Sequence, residues 1–239
     1  MQLFYTPDIL PQHDTYVLNE AESKHAIRVL RLSVGSPIHL VDGRGGLYLG
    51  TVADTHPKRT LIRVDDVKMA YEKRPYQLHL AVAPTKNMDR IEWLLEKVTE
   101  VGIDEITPII CEHSERKEVK TDRLNKVMVA AMKQSLKAYL PKINECVKLG
   151  EFLKRSGGDD RIQQKFIAHC AEGTKFYLTD RIVAGGSYLI LIGPEGDFSA
   201  SEIQVATDAG YLPITLGASR LRTETAALTT CLEIAIANR

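Results

Sequence analysis

The pattern of apolar and polar residues changes character near residue 72. Before that point, apolar runs are short and separated by tight turns, as is typical of β-strands. The runs at 37–42 and 46–52 flank a glycine-rich turn and predict a hairpin, and a third strand is predicted at 60–64. One helix is predicted from Glu20 to Leu32. Short strands in so small a segment indicate a compact β-barrel.

From residue 73 onward, apolar runs alternate with segments of helical periodicity. Strands are predicted at 78–83, 106–111, 166–171, 188–192 and 212–216, and helices at 91–101, 122–139, 199–209 and 223–237. Strands that form continuous apolar runs between helices imply a mostly parallel sheet covered on both faces. We therefore predict an α/β domain at 73–239 that follows a small β-rich domain at 1–72.

Composition limits the partners and the location. The 239 residues include 31 basic and 31 acidic ones, so no global field favours nucleic acid, although a local basic face would suffice for RNA. No apolar run reaches the ~20 residues that span a bilayer, and the N-terminus lacks the basic-then-apolar order of a signal peptide. Four scattered cysteines predict reduced thiols. We expect a cytoplasmic protein without a membrane partner.

Signatures of metal sites and nucleophiles are weak. The seven histidines show no His-x-x-x-His spacing, and His169-Cys170 is the one adjacent His/Cys pair that could suggest a ligand set. The sequence has no Gly-x-Ser-x-Gly elbow and no Walker-type Lys-Ser/Thr ending after a glycine loop. We therefore expect no metal, and the sequence argues against hydrolase and nucleotide-hydrolysing chemistry.

Two predicted strand ends near the C-terminus carry the strongest chemical signal. One strand leads into Gly193-Pro194-Glu195-Gly196-Asp197-Phe198-Ser199, and a later strand leads into Leu216-Gly217. Glycine lets the backbone come close to a ligand, and ligands of open α/β sheets lie beyond the carboxyl ends of the strands. The pattern predicts one ligand site shared by both loops. Turns that need glycine for their geometry alone are the alternative.

Two arginines follow the second glycine loop. Arg220 and Arg222 precede a helix predicted to begin at Thr223. Such a pair suits an anion or a developing negative charge, and a solvated pair is the alternative.

A second group of basic residues lies on the predicted N-terminal helix. Lys24, Arg28 and Arg31 fall at positions i, i+4 and i+7 and would share one face of that helix. Three positive charges on one stripe predict contact with a phosphate backbone, and the alternative is a solvated helix face.

Motifs along nearly the whole chain resemble one family. The C-terminal motifs are Leu191-Ile192-Gly193-Pro194-Glu195-Gly196, Leu216-Gly217 and Leu221-Arg222-Thr223-Glu224-Thr225-Ala226. Further matches are His25-Ala26-Ile27-Arg28-Val29-Leu30-Arg31, Lys97-Val98-Thr99-Glu100-Val101-Gly102-Ile103 and Ala130-Ala131-Met132-Lys133-Gln134-Ser135. Together they resemble the bacterial 16S ribosomal RNA uridine N3-methyltransferases of the SPOUT superfamily.

The resemblance implies a fold and an activity. The fold would be a C-terminal SPOUT domain with a trefoil knot and an N-terminal PUA-like β-barrel that binds RNA, in a homodimer. The activity would be transfer of a methyl group from S-adenosyl-L-methionine to N3 of a uridine in 16S rRNA of the 30S subunit. Ribose 2′-O methylation and a non-catalytic RNA-binding role in ribosome assembly are the alternatives.

The resemblance also assigns residues. The candidates for binding the cofactor lie in the two glycine loops, in the Leu221 region and at the strand end His169-Cys170-Ala171: Cys170, Ile192, Gly193, Glu195, Gly196, Leu216, Gly217, Leu221 and Ala226. Arg222 is the candidate that stabilises a uracil anion, and Glu224 is a second catalytic candidate unless it anchors the loop. RNA contacts are predicted for Lys24, Arg28, Arg31, Lys86 and Arg220.

Three positions depart from the family pattern. Asp197 stands where a second consecutive glycine is common, so the first loop carries an extra charge. Lys137 stands near the place where an arginine usually follows the Gln-Ser pair, and Gln2 lies in a region where arginine is frequent. We assign no RNA contact to the last two.

Overall fold

The computed structural model describes residues 1–159 and 161–239, which divide into two compact units. The first contains Met1–Lys73 and Val129–Leu140, and the second contains Arg74–Met128 and Pro141–Arg239. The short segment 129–140 joins the first unit because it supplies Met132 and Ala138 to a buried cluster with Leu3, Val41 and Leu47.

The first unit is built on a five-stranded sheet of order β1-β3-β4-β5-β2. Its strands are β1 (Leu3–Tyr5), β2 (Thr15–Val17), β3 (Pro37–Val41), β4 (Leu47–Asp54) and β5 (Leu61–Lys68). Neighbouring strands run antiparallel except β1, which pairs with β3 in parallel. The predicted hairpin is confirmed as the β3–β4 pair, with Val41 opposite Leu47. Phe4, Leu40 and Tyr48 are buried in its core.

The helix predicted from Glu20 to Leu32 is wrong in extent. Helix α1 (Glu20–Lys24) gives way to a π-helical turn, His25–Val29, in which the Leu30 N–H donates to the His25 carbonyl at 3.0 Å. Arg31 then takes a left-handed conformation with φ 55°. Because the chain leaves the α-helical period, the face predicted for Lys24, Arg28 and Arg31 does not exist in that form. The turn lets Ala26 enter the core, fully buried.

The second unit contains an eight-stranded parallel sheet, in which seven strands follow the order β11-β13-β10-β12-β6-β7-β8 and the eighth, β9, pairs with β7. The strands are β6 (Gln77–Val82), β7 (Glu105–Ile110), β8 (Lys142–Ile143), β9 (Val147–Lys148), β10 (Gln164–Ala168), β11 (Phe176–Tyr177), β12 (Ser187–Ile192) and β13 (Leu212–Thr215). The helices are α2 (Met88–Val101), α3 (Thr121–Gln134), α4 (Leu149–Gly157), α5 (Ala200–Asp208) and α6 (Thr223–Ala237). Helix α3 begins in the second unit and ends in the first.

Helices cover both faces of this sheet. Phe152 of α4 and Ala206 of α5 share a buried cluster with Leu189 and Leu191 of β12. Successive strand residues point to opposite faces, so Ile190, also fully buried, lies on the other one. Helices α2 and α6 pack against each other, and α6 contacts β6 and β12. The predicted α/β class with a parallel sheet is confirmed.

Helix ends follow their local signals where those signals are strong. The Asn87 side chain caps α2 by accepting the N–H of Asp89 at 2.9 Å, and α2 ends at Gly102. Helix α3 ends at Gln134, five residues before the predicted end, and Leu136 has a positive φ of 59°. In the described part of the chain, none of the helices is both long and apolar enough to cross a bilayer.

Candidate functional site

A cavity of about 820 Å³ opens at the carboxyl ends of β13, β10 and β12, three adjacent parallel strands of the second unit. Parallel strands place their carboxyl ends at one edge, where ligands of open α/β sheets bind. The start of α6 completes the wall. The cavity is lined by Ala168, His169, Cys170, Ala171, Lys175, Ile192, Gly193, Pro194, Glu195, Asp197, Ile214, Thr215, Leu216, Gly217, Ala218, Ser219, Arg220, Leu221, Arg222, Thr223 and Ala226.

The loop after β12 is a tight turn that leads into α5. The Asp197 N–H donates to the Pro194 carbonyl at 3.0 Å, and Asp197 has φ 63°. A Cβ at Gly193 would lie 3.0 Å from the ring of Phe198, so a side chain at this position would press on that buried ring. Ser199 and Glu202 form a capping box at the start of α5, since each side chain accepts the other's backbone N–H.

The loop after β13 turns at Gly217, which has φ 118°. Side chains rarely adopt this conformation, and the turn is closed by the Thr215 hydroxyl, which donates to the Gly217 carbonyl at 3.1 Å. The chain then reaches Arg222, an extended N-cap residue, and enters α6 at Thr223. The Thr223 hydroxyl donates to the Gly193 carbonyl at 3.0 Å, so the two glycine loops are joined directly.

The loop after β10 forms the wall between the two glycine loops. The Cys170 N–H donates to Asp197 Oδ2 at 2.7 Å, and Lys175 Nζ donates to the Ala171 carbonyl at 2.8 Å. Both ring nitrogens of His169 are buried without a hydrogen-bond partner among the described residues. Burial, and then the nearby Lys175 ammonium, lower the pKa of His169, which favours the neutral imidazole.

The Glu195 side chain is bound by the loop after β6. Its Oε1 accepts the backbone N–H of Lys86 at 3.1 Å, while Lys86 Nζ lies 2.8 Å from Glu115. Arg116 supports the same loop by donating to the Lys86 carbonyl at 2.8 Å. The Glu195 carboxylate therefore connects the loop after β12 to the loop after β6.

The charges around the cavity have both signs. Lys175, Arg220 and Arg222 are the cations of its lining, and Glu195 and Asp197 are the anions. Arg220 and Arg222 are exposed, and neither guanidinium has a hydrogen bond or ion pair within residues 1–159 and 161–239. Two permanent charges that remain available beside a cavity suit a ligand that carries or develops negative charge.

The cavity brings together eight of the nine residues predicted to bind a cofactor. These are Cys170, Ile192, Gly193, Glu195, Leu216, Gly217, Leu221 and Ala226. Gly196 is the ninth and lies against His113, whose Cβ would be 3.0 Å from a Cβ at that glycine. Arg220 and Arg222 are also part of the lining. The binding roles of all these residues stay predictions.

Other predicted site residues lie outside the lining. Glu224 is buried, with 7% of its surface exposed, and its Oε1 lies 3.8 Å from Arg90 Nε. This placement favours the anchoring role over the catalytic one. In the first unit, Lys24, Arg28 and Arg31 are exposed, and Lys24 is paired with Glu20 at 2.7 Å.

Sequence reasoning missed Lys175 and Thr223 as parts of this site. Lys175 belongs to no recognisable motif, so no local signal could have found it. Thr223 lies inside a motif matched in the sequence, but its contact with Gly193 joins segments 30 residues apart, which a local pattern does not encode. Within residues 1–159 and 161–239, no three His, Cys, Asp or Glu side chains are grouped as a metal site would require.

Comparison with known proteins identifies the domains. The RNA methyltransferase domain family matches residues 72–235, and the RNA methyltransferase PUA domain family matches residues 18–65. The chain is 28% identical to the ribosomal RNA small subunit methyltransferase E of Rickettsia conorii, over 86% of this chain and 83% of that protein.

Solved structures agree with these matches. A probable rRNA-methyltransferase from Porphyromonas gingivalis is 39% identical, with a TM-score of 0.91 over 100% of this chain and 98% of that one. A ribosomal RNA small subunit methyltransferase E from Neisseria gonorrhoeae, bound to S-adenosyl methionine, is 26% identical, with a TM-score of 0.83 over 97% of this chain and 95% of that one. The resemblance seen in the sequence is confirmed, and the chain belongs to the RNA methyltransferase family.

Proposed function

We propose that this chain uses S-adenosyl-L-methionine to methylate N3 of a uridine in the 16S rRNA of the small ribosomal subunit. The observation that carries the proposal is the cavity at the edge of β13, β10 and β12, with Arg222 in its wall, in a member of the RNA methyltransferase family. The rRNA small subunit methyltransferase E relatives support the RNA substrate, and the relative bound to S-adenosyl methionine supports the cofactor.

The residues of the cavity fit this cofactor. A volume of about 820 Å³ is within the range of small-molecule sites. Ile192, Leu216 and Leu221 offer apolar surface for a purine ring. The open space beside Gly217, where a Cβ would meet nothing within 4 Å, lets a ligand approach the backbone. When bound, S-adenosyl-L-methionine would supply the methyl group on a positively charged sulfur, which keeps the bonding electron pair as the methyl group leaves.

Arg222 is the residue that we assign to the RNA base. N3 of uracil carries a proton, and the nucleophilic form is the anion left when that proton is lost. A guanidinium beside O2 or O4 would stabilise this anion and ease deprotonation. Arg222 is exposed and permanently charged, and it is fixed by its backbone at the start of α6.

The proton from N3 must go to another group, since a guanidinium is a poor acceptor. Glu224 is buried beside Arg90 and outside the cavity lining, so we assign the acceptor role to water. N3 also lies on the pairing edge of the base. The target uridine must therefore be unpaired or flipped out of a helix before it reacts.

The proposal extends to the binding of RNA and to assembly. The first unit, with its PUA-family match and the exposed Lys24, Arg28 and Arg31, would bind RNA, and Arg220 and Lys86 would contact the RNA beside the cavity. A homodimer, a cytoplasmic location and a trefoil knot in the second unit complete the proposal. Light scattering at several protein concentrations tests the dimer.

Methyl transfer to ribosomal RNA tests the function. The chain should be incubated with labelled S-adenosyl-L-methionine and either 30S subunits or naked 16S rRNA that lack the modification. Nucleosides from the digested RNA are then identified by mass spectrometry. We expect 3-methyluridine at a single site, and Arg222→Ala is the matched control.

Two other outcomes would support the alternatives. Label on a ribose 2′-oxygen would replace the N3 reaction with ribose methylation. Tight binding of subunits without any transfer would favour the role of a non-catalytic assembly factor.

A further inference from the structure

The loop that follows β10 is held from two sides by opposite charges. Asp197 Oδ2 accepts the Cys170 N–H at 2.7 Å. Lys175 Nζ donates to the Ala171 carbonyl at 2.8 Å and to the His169 carbonyl at 3.3 Å. In segment 169–171, the Asp197 carboxylate thus binds the Cys170 N–H, and the Lys175 ammonium binds the carbonyls of the other two residues. All five residues line the cavity.

The backbone of Asp197 does not explain why an aspartate is present. Its φ of 63° lies in the left-handed region, which glycine adopts without strain. The carboxylate instead joins two segments that are 27 residues apart in sequence. Its Oδ2 accepts the N–H of Cys170, and its Oδ1 accepts the N–H of Phe198 at 2.8 Å. The side chain therefore fixes the loop after β12 to the loop after β10.

We propose that Asp197 is a positioning residue for the cofactor, which acts together with Lys175 to fix segment 169–171 as a preformed wall of the cavity. Hydrogen bonds to ionised groups are shorter and stronger than those between neutral groups. A wall that is already ordered loses less conformational entropy when a ligand binds. The inference rests on the proposed function only in naming S-adenosyl-L-methionine as the ligand.

A purely conformational role for Asp197 predicts the opposite result. If this position served only the left-handed turn, Asp197→Gly would relieve strain and would leave ligand binding equal or tighter. If the carboxylate positions Cys170, the same change would free the segment and weaken binding.

The first measurement is amide hydrogen exchange of Cys170 in the protein without ligand. We expect exchange in Asp197→Gly to be faster by about tenfold, as for the loss of one charge-assisted hydrogen bond of ~1.4 kcal/mol. Asp197→Asn is the conservative control. Asparagine tolerates the left-handed backbone and keeps one acceptor oxygen, so it should recover part of the protection.

The second measurement is the Kd of S-adenosyl-L-methionine by isothermal titration. We expect the Kd to rise about tenfold in Asp197→Gly, a loss of ~1.4 kcal/mol, and to rise less in Asp197→Asn. Lys175→Met should weaken binding in the same direction. Because either change alone frees segment 169–171, the double variant should lose less than the sum of the two single losses.

The two measurements separate this inference from the proposed function. Unchanged Cys170 exchange together with an unchanged Kd in Asp197→Gly would overturn the positioning role. Failure of the unaltered protein to bind S-adenosyl-L-methionine would overturn the proposed cofactor, and faster Cys170 exchange in the variant would still support the role of the carboxylate. If Asp197→Gly does not fold, the same measurements on Asp197→Asn and Lys175→Met decide whether the carboxylate positions the segment. Strictly additive effects of these two changes on the Kd would overturn the coupling.

Discussion

The hydroxyl of Thr223 donates a hydrogen bond of 3.0 Å to the carbonyl of Gly193. Thr223 is the first residue of α6, and Gly193 is the first residue after β12, so one bond joins segments that are 30 residues apart. Both residues are buried. This bond fixes the start of α6, and with it the N-cap residue Arg222, against the glycine loop of the cavity.

Thr223→Val should therefore destabilise the protein. Valine has nearly the shape of threonine but no hydroxyl, so the buried Gly193 carbonyl would lose its partner at a cost of about 1–3 kcal/mol. Equilibrium unfolding in urea measures this loss. Thr223→Ser keeps the hydroxyl and is the matched control, which should retain most of the stability. Equal losses in the two variants would show that the methyl group, and not the hydrogen bond, matters at this position.

Arg222→Ala should abolish most of the catalysis and leave the cofactor affinity nearly unchanged. Removing one group that stabilises a developing anion costs ~10²–10³-fold in rate. Arg222→Lys keeps the charge but loses the planar fork of donors, so its rate should lie between that of the unaltered protein and that of Arg222→Ala. Single-turnover methylation of 30S subunits, with cofactor binding followed in parallel, measures both quantities.

Arg220→Ala is the matched control for Arg222, because Arg220 lies in the same loop and is also exposed. We expect it to weaken RNA binding while the rate at saturating RNA changes little. Full turnover by Arg222→Ala would remove this arginine from the mechanism.

Local sequence signals were sufficient for the strand ends and helix starts around the cavity. The capping box of Ser199 and Glu202 is a pattern of four consecutive residues, and Gly217 marks a turn because its φ of 118° favours glycine. Gly193 marks its turn by the lack of room for a side chain beside Phe198. Parallel strands bring such turns to one edge. Alternation of strands and helices was therefore enough to predict that the two glycine loops share a site.

Contacts between distant segments could not be predicted in the same way. The bond from Cys170 to Asp197 depends on β10 lying beside β12, which no short pattern encodes. The π-helical turn at 25–29 also escaped prediction, because its residues are locally compatible with a regular α-helix. The turn instead places Ala26 in the core, where it is fully buried. Tertiary packing overrides local propensity at such positions.

The basic residues beside this turn provide a test of RNA binding by the first unit. Lys24, Arg28 and Arg31 remain exposed although they do not share a helix face. If each neutralises one phosphate of single-stranded RNA, their joint replacement by alanine should reduce the slope of log K against log salt by about 2. Filter binding over a series of salt concentrations measures the slope.

A second triple variant controls for the loss of charge alone. Lys148, Lys154 and Arg155 are also exposed and lie at α4 in the second unit, where we predict no RNA contact. Their replacement by alanine changes the net charge by the same amount and should leave the slope close to that of the unaltered protein. Equal slopes in the two triple variants would make the first group a solvated surface.

His79 of β6 should make the stability depend on pH. Burial lowers its pKa from 6.5 to about 4, against the nearby Glu105 carboxylate, which raises it, and its Nε2 lies 2.7 Å from the Thr107 hydroxyl. The folded state then binds fewer protons at this residue than the unfolded state between pH ~4 and ~6.5, so stability is lost as the pH falls through this range.

The loss of folding stability should approach about 3 kcal/mol. Urea unfolding at a series of pH values measures it, and His79→Gln should flatten this limb of the curve. An unchanged limb in His79→Gln would assign the acid sensitivity to other groups.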